Sequence, residues 1–410
     1  MRGPPVLDWL IVGNGVVGAT TACLLADAGF SVAVLDSVGR APAVPEGWDL
    51  RTYSLTPASR RILSAIGVWP LLDAQRIAPY ARMAVWEAAH GAQIDFDAGH
   101  LAQPALGYIL EQSCLWRALQ AGLSARPRVA RYTGTLASLE QTAESATLTL
   151  ANGQRLQARA LVACDGPDSP LRQLAGMGCD VQAYPQQAVI ANVETGAPHD
   201  FIARQCFLAE GPLAFLPLPD PRRCSIVWSM SPAAAEATLA QDGAAFSAAL
   251  GRAFDHRLGP VLSTSARLAF PLRRQHALTY SEGRVVLVGD AAHVVHPLAG
   301  QGLNLGLLDA AVLAERAAAA GPAGLESPAP LFRRYERQRR GEVLAMLAAT
   351  DGLNRLFLYH APWAGWLRSA GLALTQRLAP MKQLLMAHAM GDLGDLPQVA
   401  RLQAATNVLS

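Results

Sequence analysis

The run Gly13-Asn14-Gly15-Val16-Val17-Gly18 constrains this chain more than any other feature, because of what stands on either side of it. Residues 7–12 are an apolar run of strand length, 19–28 have helical composition and stop at Gly29, and 30–35 are a second apolar run ending on Asp36. Strand, glycine turn, helix and strand make a βαβ unit, and glycines at this spacing inside such a unit mark a dinucleotide site. Gly13 permits the tight turn, Gly15 lets a pyrophosphate approach the backbone, and Gly18 lets helix and strand pack closely. The N-terminus of the helix that follows offers free N–H groups and partial positive charge to phosphates. Asp36 stands where an acid accepts hydrogen bonds from ribose hydroxyls.

The rest of the chain, 410 residues in all, has room for more than one domain. Its middle is β-rich: 147–150 and 155–157 flank Asn152-Gly153 as a hairpin, and 161–163 follow as a buried strand. Strand-like runs recur at 188–193, 213–218 and 225–229, with Pro219-Asp220-Pro221 as the turn between the last two. Residues 285–288 read as another parallel strand, 303–320 as a helix, and 329 to about 389 as helical with breaks at Pro362 and Pro380.

Composition excludes several classes. Hydrophobic content of 51% with 16% charged residues rules out a largely disordered chain. A formal charge of +2 provides no broad basic surface for nucleic acid. Cys23, Cys114, Cys164, Cys179, Cys206 and Cys224 form no CxxC pair, and we expect buried thiols in a reducing compartment. The histidines form no HxxxH pair, so no metal is expected, and no GxSxG elbow points to a serine hydrolase. The run at 7–12 breaks into glycines unlike a signal peptide, and no apolar stretch approaches the roughly 20 residues of a spanning helix. The expected location is the cytoplasm.

Two further motifs follow. In Leu161-Val162-Ala163-Cys164-Asp165-Gly166 a strand ends in Asp-Gly and runs towards Arg172. In the other, Gly289-Asp290 closes a strand, and after His293 and His296 the loop Pro297-Leu298-Ala299-Gly300-Gln301-Gly302-Leu303-Asn304 opens the helix carrying Asp309. Together, in this order, the motifs resemble the group A flavoprotein monooxygenases, the FAD-dependent aromatic hydroxylases related to p-hydroxybenzoate hydroxylase. The stretches 49–55, 106–111, 211–218 and 299–306 resemble, more narrowly, the ubiquinone-biosynthesis hydroxylases, which act on polyprenylated phenols.

The resemblance implies an α/β fold in which a Rossmann-like FAD-binding domain (1–75, 101–180 and 271–328) is interleaved with a β-sheet substrate domain (76–100 and 181–270), followed by a C-terminal helical region (329–410). It implies FAD held by Gly13, Gly15, Val16, Val17 and Gly18 at the pyrophosphate and by Asp36 at the adenosine ribose. Arg51 would contact the cofactor, and Asp165 and Gly166 belong to a motif tied to both FAD and the reductant. Asp290 would take a ribityl hydroxyl or the phosphate side, while Pro297, Gly300, Gln301, Gly302, Leu303 and Asn304 would face the isoalloxazine edge. NADH or NADPH would reduce the flavin, and O₂ would supply the oxygen placed on a phenolic ring. No catalytic residue is assigned. Cys164 and Trp116 depart from the commoner alanine and glutamine.

Read without the resemblance, Asp165 and Asp290 are turn or helix caps, Arg51 is a solvated cation, and His293 and His296 are structural. Other classes stay open: a hydroxylase of another aromatic metabolite, a flavin reductase or cyclase, or a non-catalytic FAD-binding partner in a quinone-biosynthesis assembly. A halogenase is disfavoured, because the only lysine is Lys382 and no WxWxI stretch exists. Residues 353–389, with Trp363 and Trp366 among leucines, Arg355, Arg377 and Lys382, suit either core packing or peripheral contact with the inner membrane.

Overall fold

The computed structural model describes residues 6–37, 47–88, 92–296 and 300–358, and beyond them 383, 386–387, 390–392 and 394–402. Its centre is the parallel sheet that the apolar runs require, since strands buried on both faces carry continuous rather than alternating hydrophobicity. Leu7–Val12 lies between Val32–Asp36 and Arg155–Ala163 and is parallel to both. Val129–Thr133 extends the sheet on one side and Val285–Leu287 on the other, again in parallel. The helices Val16–Asp27 and Gly302–Ala320 pack against each other within the same core, in which Trp9, Leu10 and Ile11 are fully buried.

A second sheet of nine strands stands over this one. The strands Cys179–Thr195, Leu268–Ala277, Arg223–Met230, Gly211–Pro217, Ile202–Leu208, Arg82–Glu87 and Gln93–Asp97 form most of it. Side chains alternate across a strand. Ala191, Val193, Leu213, Phe215 and Ile226 therefore share the face covered by Phe246 and Leu250 of the helix Gly243–Ala253. Ala188, Ile190, Ala214, Leu216, Ser225 and Val227 occupy the opposite face, which looks towards the cofactor half. There Thr52 Oγ1 donates to Ser225 Oγ at 3.0 Å, and Asn192 Nδ2 donates to the carbonyls of Trp48 and Asp49 at 3.2 and 3.1 Å. A three-stranded sheet of Thr52–Leu55, Gly107–Glu111 and Ile77–Tyr80 bridges the two halves.

Several expected boundaries shift. The strand Cys179–Thr195 pairs with Leu268–Ala277 between Cys179 and Ile190, and both strands run through the divisions expected at 180/181 and 270/271. The strand Ile77–Tyr80 joins the bridging sheet rather than the nine-stranded one. The first helix starts at Val16, inside the glycine run, because Gly15 already has the extended conformation of a cap. The long helix Ala329–Leu358 opens the expected C-terminal helical region, and Trp363, Trp366 and Lys382 lie outside the described residues. All six cysteines are free, with Cys164 and Cys179 only half-buried. Among the described residues no helix is long and apolar enough to cross a membrane, and no cluster could hold a metal ion.

Candidate cofactor and active site

Three neighbouring parallel strands deliver the three motifs to one edge of the sheet. Leu7–Val12 ends in the glycine run, Arg155–Ala163 in Cys164-Asp165-Gly166, and Val285–Leu287 in Gly289-Asp290. Ligands of open α/β sheets bind at such carboxyl ends. The loops are interlocked by backbone: Cys164 N donates to the Val12 carbonyl at 2.8 Å, and Val288 N to that of Ala163 at 3.0 Å.

The glycines divide by task. Gly13 has φ +106°, and a Cβ there would stand 2.2 Å from the Cys164 carbonyl oxygen. A Cβ on Gly18 would stand 2.0 Å from the Gly13 oxygen. Gly306 lets the Gly302–Ala320 helix approach the Gly289 backbone, to 3.2 Å from an added Cβ, with Val17 wedged beside both. A Cβ on Gly15 would meet nothing within 4 Å. The first two glycines close the fold, while Gly15 fronts open space at a helix start that no side chain caps. That cradle fits a pyrophosphate. Trp116 secures it from behind by donating to the Asn14 carbonyl at 2.9 Å, and Asn14 exchanges hydrogen bonds with Gln120 at 3.2 and 3.0 Å. Asn14 Nδ2 also reaches Asp36 at 3.4 Å, which places the acid beside the turn.

The third motif is locked by Asp309. This fully buried carboxylate accepts from Gly289 N at 3.0 Å, lies 2.5 Å from His293 Nε2, and takes Arg339 Nε at 2.7 Å. Burial alone would raise its pKa, but the charges of His293 and Arg339 and their hydrogen bonds outweigh it and bring the value down to about 2. Asp290, next to Gly289, is exposed by area, yet the surrounding protein raises its carboxyl pKa by desolvation. Asp290 also contributes to raising the Tyr53 hydroxyl to about 12, after the larger effect of burial, so the strand Thr52–Leu55 runs near it.

Asn304 ties that strand to the remaining loop. Its Oδ1 accepts from Thr56 N at 3.0 Å and Ser59 Oγ at 2.7 Å, and its Nδ2 donates to the carbonyls of Ser54 at 2.9 Å and Gly300 at 3.2 Å. Gly300 takes φ +60° beside Ser54. The helix amides at Gly302, Leu303 and Asn304 follow a Gln301 cap that makes no side-chain cap bond, so they can face an electron-rich edge.

The FAD binding domain family matches residues 6–350. The chain is 38% identical to ubiquinone hydroxylase UbiL of Rhodospirillum rubrum over 404 residues, covering 97% of this chain and 92% of that protein. It is 35% identical to the 3-demethoxyubiquinol 3-hydroxylase of Escherichia coli, covering 93% and 97%. The chain belongs to the FAD-dependent monooxygenases of ubiquinone biosynthesis. In fold, the monooxygenase matches the crystal structure of p-nitrophenol 4-monooxygenase PnpA from Pseudomonas putida with a TM-score of 0.75 at 21% identity, covering 94% and 98% of the two chains.

The sequence-predicted residues of this monooxygenase are not equivalent in the structure. Asp165 is engaged within its own loop, where Oδ1 accepts from Ser169 Oγ at 2.5 Å and Oδ2 from Leu171 N at 2.9 Å. It thereby backs Ser169, which caps the short helix Pro170–Leu174 by accepting from Arg172 N, and Gly166, at φ +90°, makes the turn. Arg172 joins this loop to the third motif, donating to the carbonyls of Ala291 at 2.8 Å and Pro167 at 2.9 Å. Arg51 is exposed at the head of the Thr52–Leu55 strand, with its N–H on Asp49 Oδ1 at 3.2 Å. Pro297 lies outside the described residues. The sequence reading missed Arg339, which is 1% exposed within an arginine-rich helix that composition marks as solvated; only its contact with Asp309 shows it to be core.

Proposed function

We propose that this monooxygenase uses FAD, NADH or NADPH, and O₂ to hydroxylate the aromatic ring of a polyprenylated phenol. The observation that carries the reading is that three neighbouring parallel strands bring the open helix start at Gly15 and the Gly289-Asp290 turn to one edge of the sheet, with Asn304 tying Gly300 to the nearby Ser54. Bound FAD supplies the reductive activation of O₂. Gly13 to Gly18 would hold its pyrophosphate, Asp36 its adenosine ribose, and Asp290 a ribityl hydroxyl or the phosphate side. The amides of Gly302 to Asn304 favour negative charge at the flavin's polar edge. The apolar sheet face bearing Ala188, Ile190, Leu216 and Val227 keeps water from the reacting ring.

FAD-loaded enzyme should oxidise NAD(P)H faster when 2-geranylphenol is added and should yield a hydroxylated product. NAD(P)H consumption indifferent to the phenol, with no product, favours a reductase or a non-catalytic FAD partner. A polyprenyl tail partitions into a bilayer, so the substrate of this reading would be delivered from there, directly or through an assembly of biosynthetic proteins. For direct docking, segment 353–389 supplies Trp363 and Trp366 as interfacial anchors. Wild type should float with anionic liposomes, and a Trp363→Ser/Trp366→Ser variant should not. Equal flotation of the two would remove this segment from the account.

A further inference from the structure

The strand Cys179–Thr195 breaks register with Leu268–Ala277 between Ala183 and Gln187. Irregularities of this kind re-aim side chains and gather near active sites. Tyr184 sits inside the break, packed with Ala188, Leu272 and Val227 on the cofactor side of the sheet. Its ring meets that of His296 edge-on, with centroids 4.9 Å apart, and its hydroxyl donates to Asp351 Oδ1 at 3.2 Å. His296 leads into the loop that opens the Gly302–Ala320 helix. Asp351 belongs to the long helix, whose Val343, Met346 and Leu347 pack on Val295 and Leu305, on either side of that loop. Tyr184 therefore stands where the sheet, the flavin loop and the long helix meet.

A second observation points to a ligand. Asn354 is 2% exposed, and its Nδ2 has no hydrogen-bond partner among the described residues. It follows Asp351 by three residues and so shares its side of the helix. A buried N–H without an acceptor is costly, and a ligand oxygen would relieve it.

We infer that Tyr184, Asp351 and Asn354 form a hydroxyl-recognition site for the aromatic substrate. Tyr184 commits its own proton to Asp351, so its oxygen is left to accept a hydrogen bond from the substrate's phenolic O–H, while Asn354 donates to an oxygen of the same ligand. No proton is transferred and no covalent bond changes. The hydrogen bond leaves more electron density on the ring, which favours attack by electrophilic oxygen. Asp351 acts through Tyr184 and is a positioning residue; Arg355 balances its charge at 2.9 Å. Burial first, and then the charge of Asp351, push the Tyr184 hydroxyl up to about 12 against the opposing Arg274 and Arg355, so it remains a neutral donor. Burial holds His296 down to about 4, so its ring packs there without charge.

This site deepens the phenol-hydroxylase reading and rests on it. The test titrates FAD-loaded wild type, Tyr184→Phe and Asp351→Asn with 2-geranylphenol and with its methyl ether, following flavin absorbance, and checks FAD content and Tm. Wild type should prefer the phenol by about tenfold or more, the size of a lost hydrogen bond. Tyr184→Phe keeps the ring against His296 and should bind the two ligands alike, with Tm unchanged; Asp351→Asn should lose part of the preference. If Tyr184→Phe keeps the wild-type preference, or weakens both ligands equally, the site is overturned while the hydroxylase reading stands. If wild type neither binds nor hydroxylates the phenol, both are overturned.

Discussion

The cofactor half and the nine-stranded sheet are held together in different ways. Around the glycine run, backbone meets backbone: added Cβ atoms would stand 2.2 Å from Cys164 at Gly13 and 2.0 Å from Gly13 at Gly18. In the sheet, side chains meet side chains, as where Phe215 stacks on Phe254 with centroids 3.8 Å apart and Trp86 tilts against the same ring at 5.0 Å. The first kind of contact rejects any added atom. The second asks for apolar volume of the right size, which many residues can supply. A half built on forbidden atoms fixes its residues one by one, whereas a half built on volume fixes only a pattern.

Two glycine variants sharpen the contrast most. Gly18→Ala must displace backbone and should destabilise the protein by more than about 4 kcal/mol, seen as loss of soluble protein or a much earlier urea midpoint. Gly15→Val, three positions away in open space, should keep a near-wild-type midpoint and lose FAD. A Gly15→Val protein purified with full FAD would remove the pyrophosphate from this turn. A smaller effect is expected at Asp290→Ala, which loses one hydrogen bond to a charged group. FAD should bind weaker by about 1.5–3 kcal/mol, or roughly ten- to a hundredfold, in equilibrium dialysis with the fold intact. Unchanged affinity would return Asp290 to the role of a cap.

Acid should act on the two regions in separate windows. His276, on the sheet strand Leu268–Ala277, is held neutral with its pKa lowered from 6.5 to about 4, by burial and then by Arg340 and His293. Asp309, in the cofactor half, is lowered from 3.8 to about 2. Both folded values lie below the ordinary ones. Each group therefore contributes stability above its ordinary pKa that is lost as pH falls through the folded value. His276→Gln should flatten the stability profile between pH 6.5 and 4 by up to about 1.4 kcal/mol per pH unit and leave the profile below pH 4 unchanged. Urea midpoints across that range, identical for wild type and variant, would contradict the assignment.

The same contrast explains what could be read from the residues. Gly13, Gly15, Gly18 and Asp36 were legible because strand, turn, helix and strand are contiguous, and the spacing itself carries the steric demand. The hairpin at Asn152-Gly153 was legible for the same reason, and Gly153 takes φ +83° there. Asp165 and Asp290 look alike in sequence, each ending a strand beside a glycine. Yet Asp165 spends both oxygens on its own loop, and Asp290 stands exposed at its strand end. That difference depends on Ser169 and Leu171 closing on Asp165, which no spacing announces. Tyr184 and Asp351 are 167 residues apart and carry no motif, so only the pairing of sheet and long helix brings them together.

In the proposed reaction, oxygen from O₂ reaches a phenolic ring beside the strand ends that carry Gly15 and Asp290. The most direct measurement is mass spectrometry of the product formed by FAD-loaded enzyme from NADPH or NADH, 2-geranylphenol and heavy-isotope O₂. One heavy oxygen atom should appear on the ring, formed in step with NAD(P)H consumed. A product lacking the isotope, or reductant consumed wholly to hydrogen peroxide with the phenol unchanged, would contradict it.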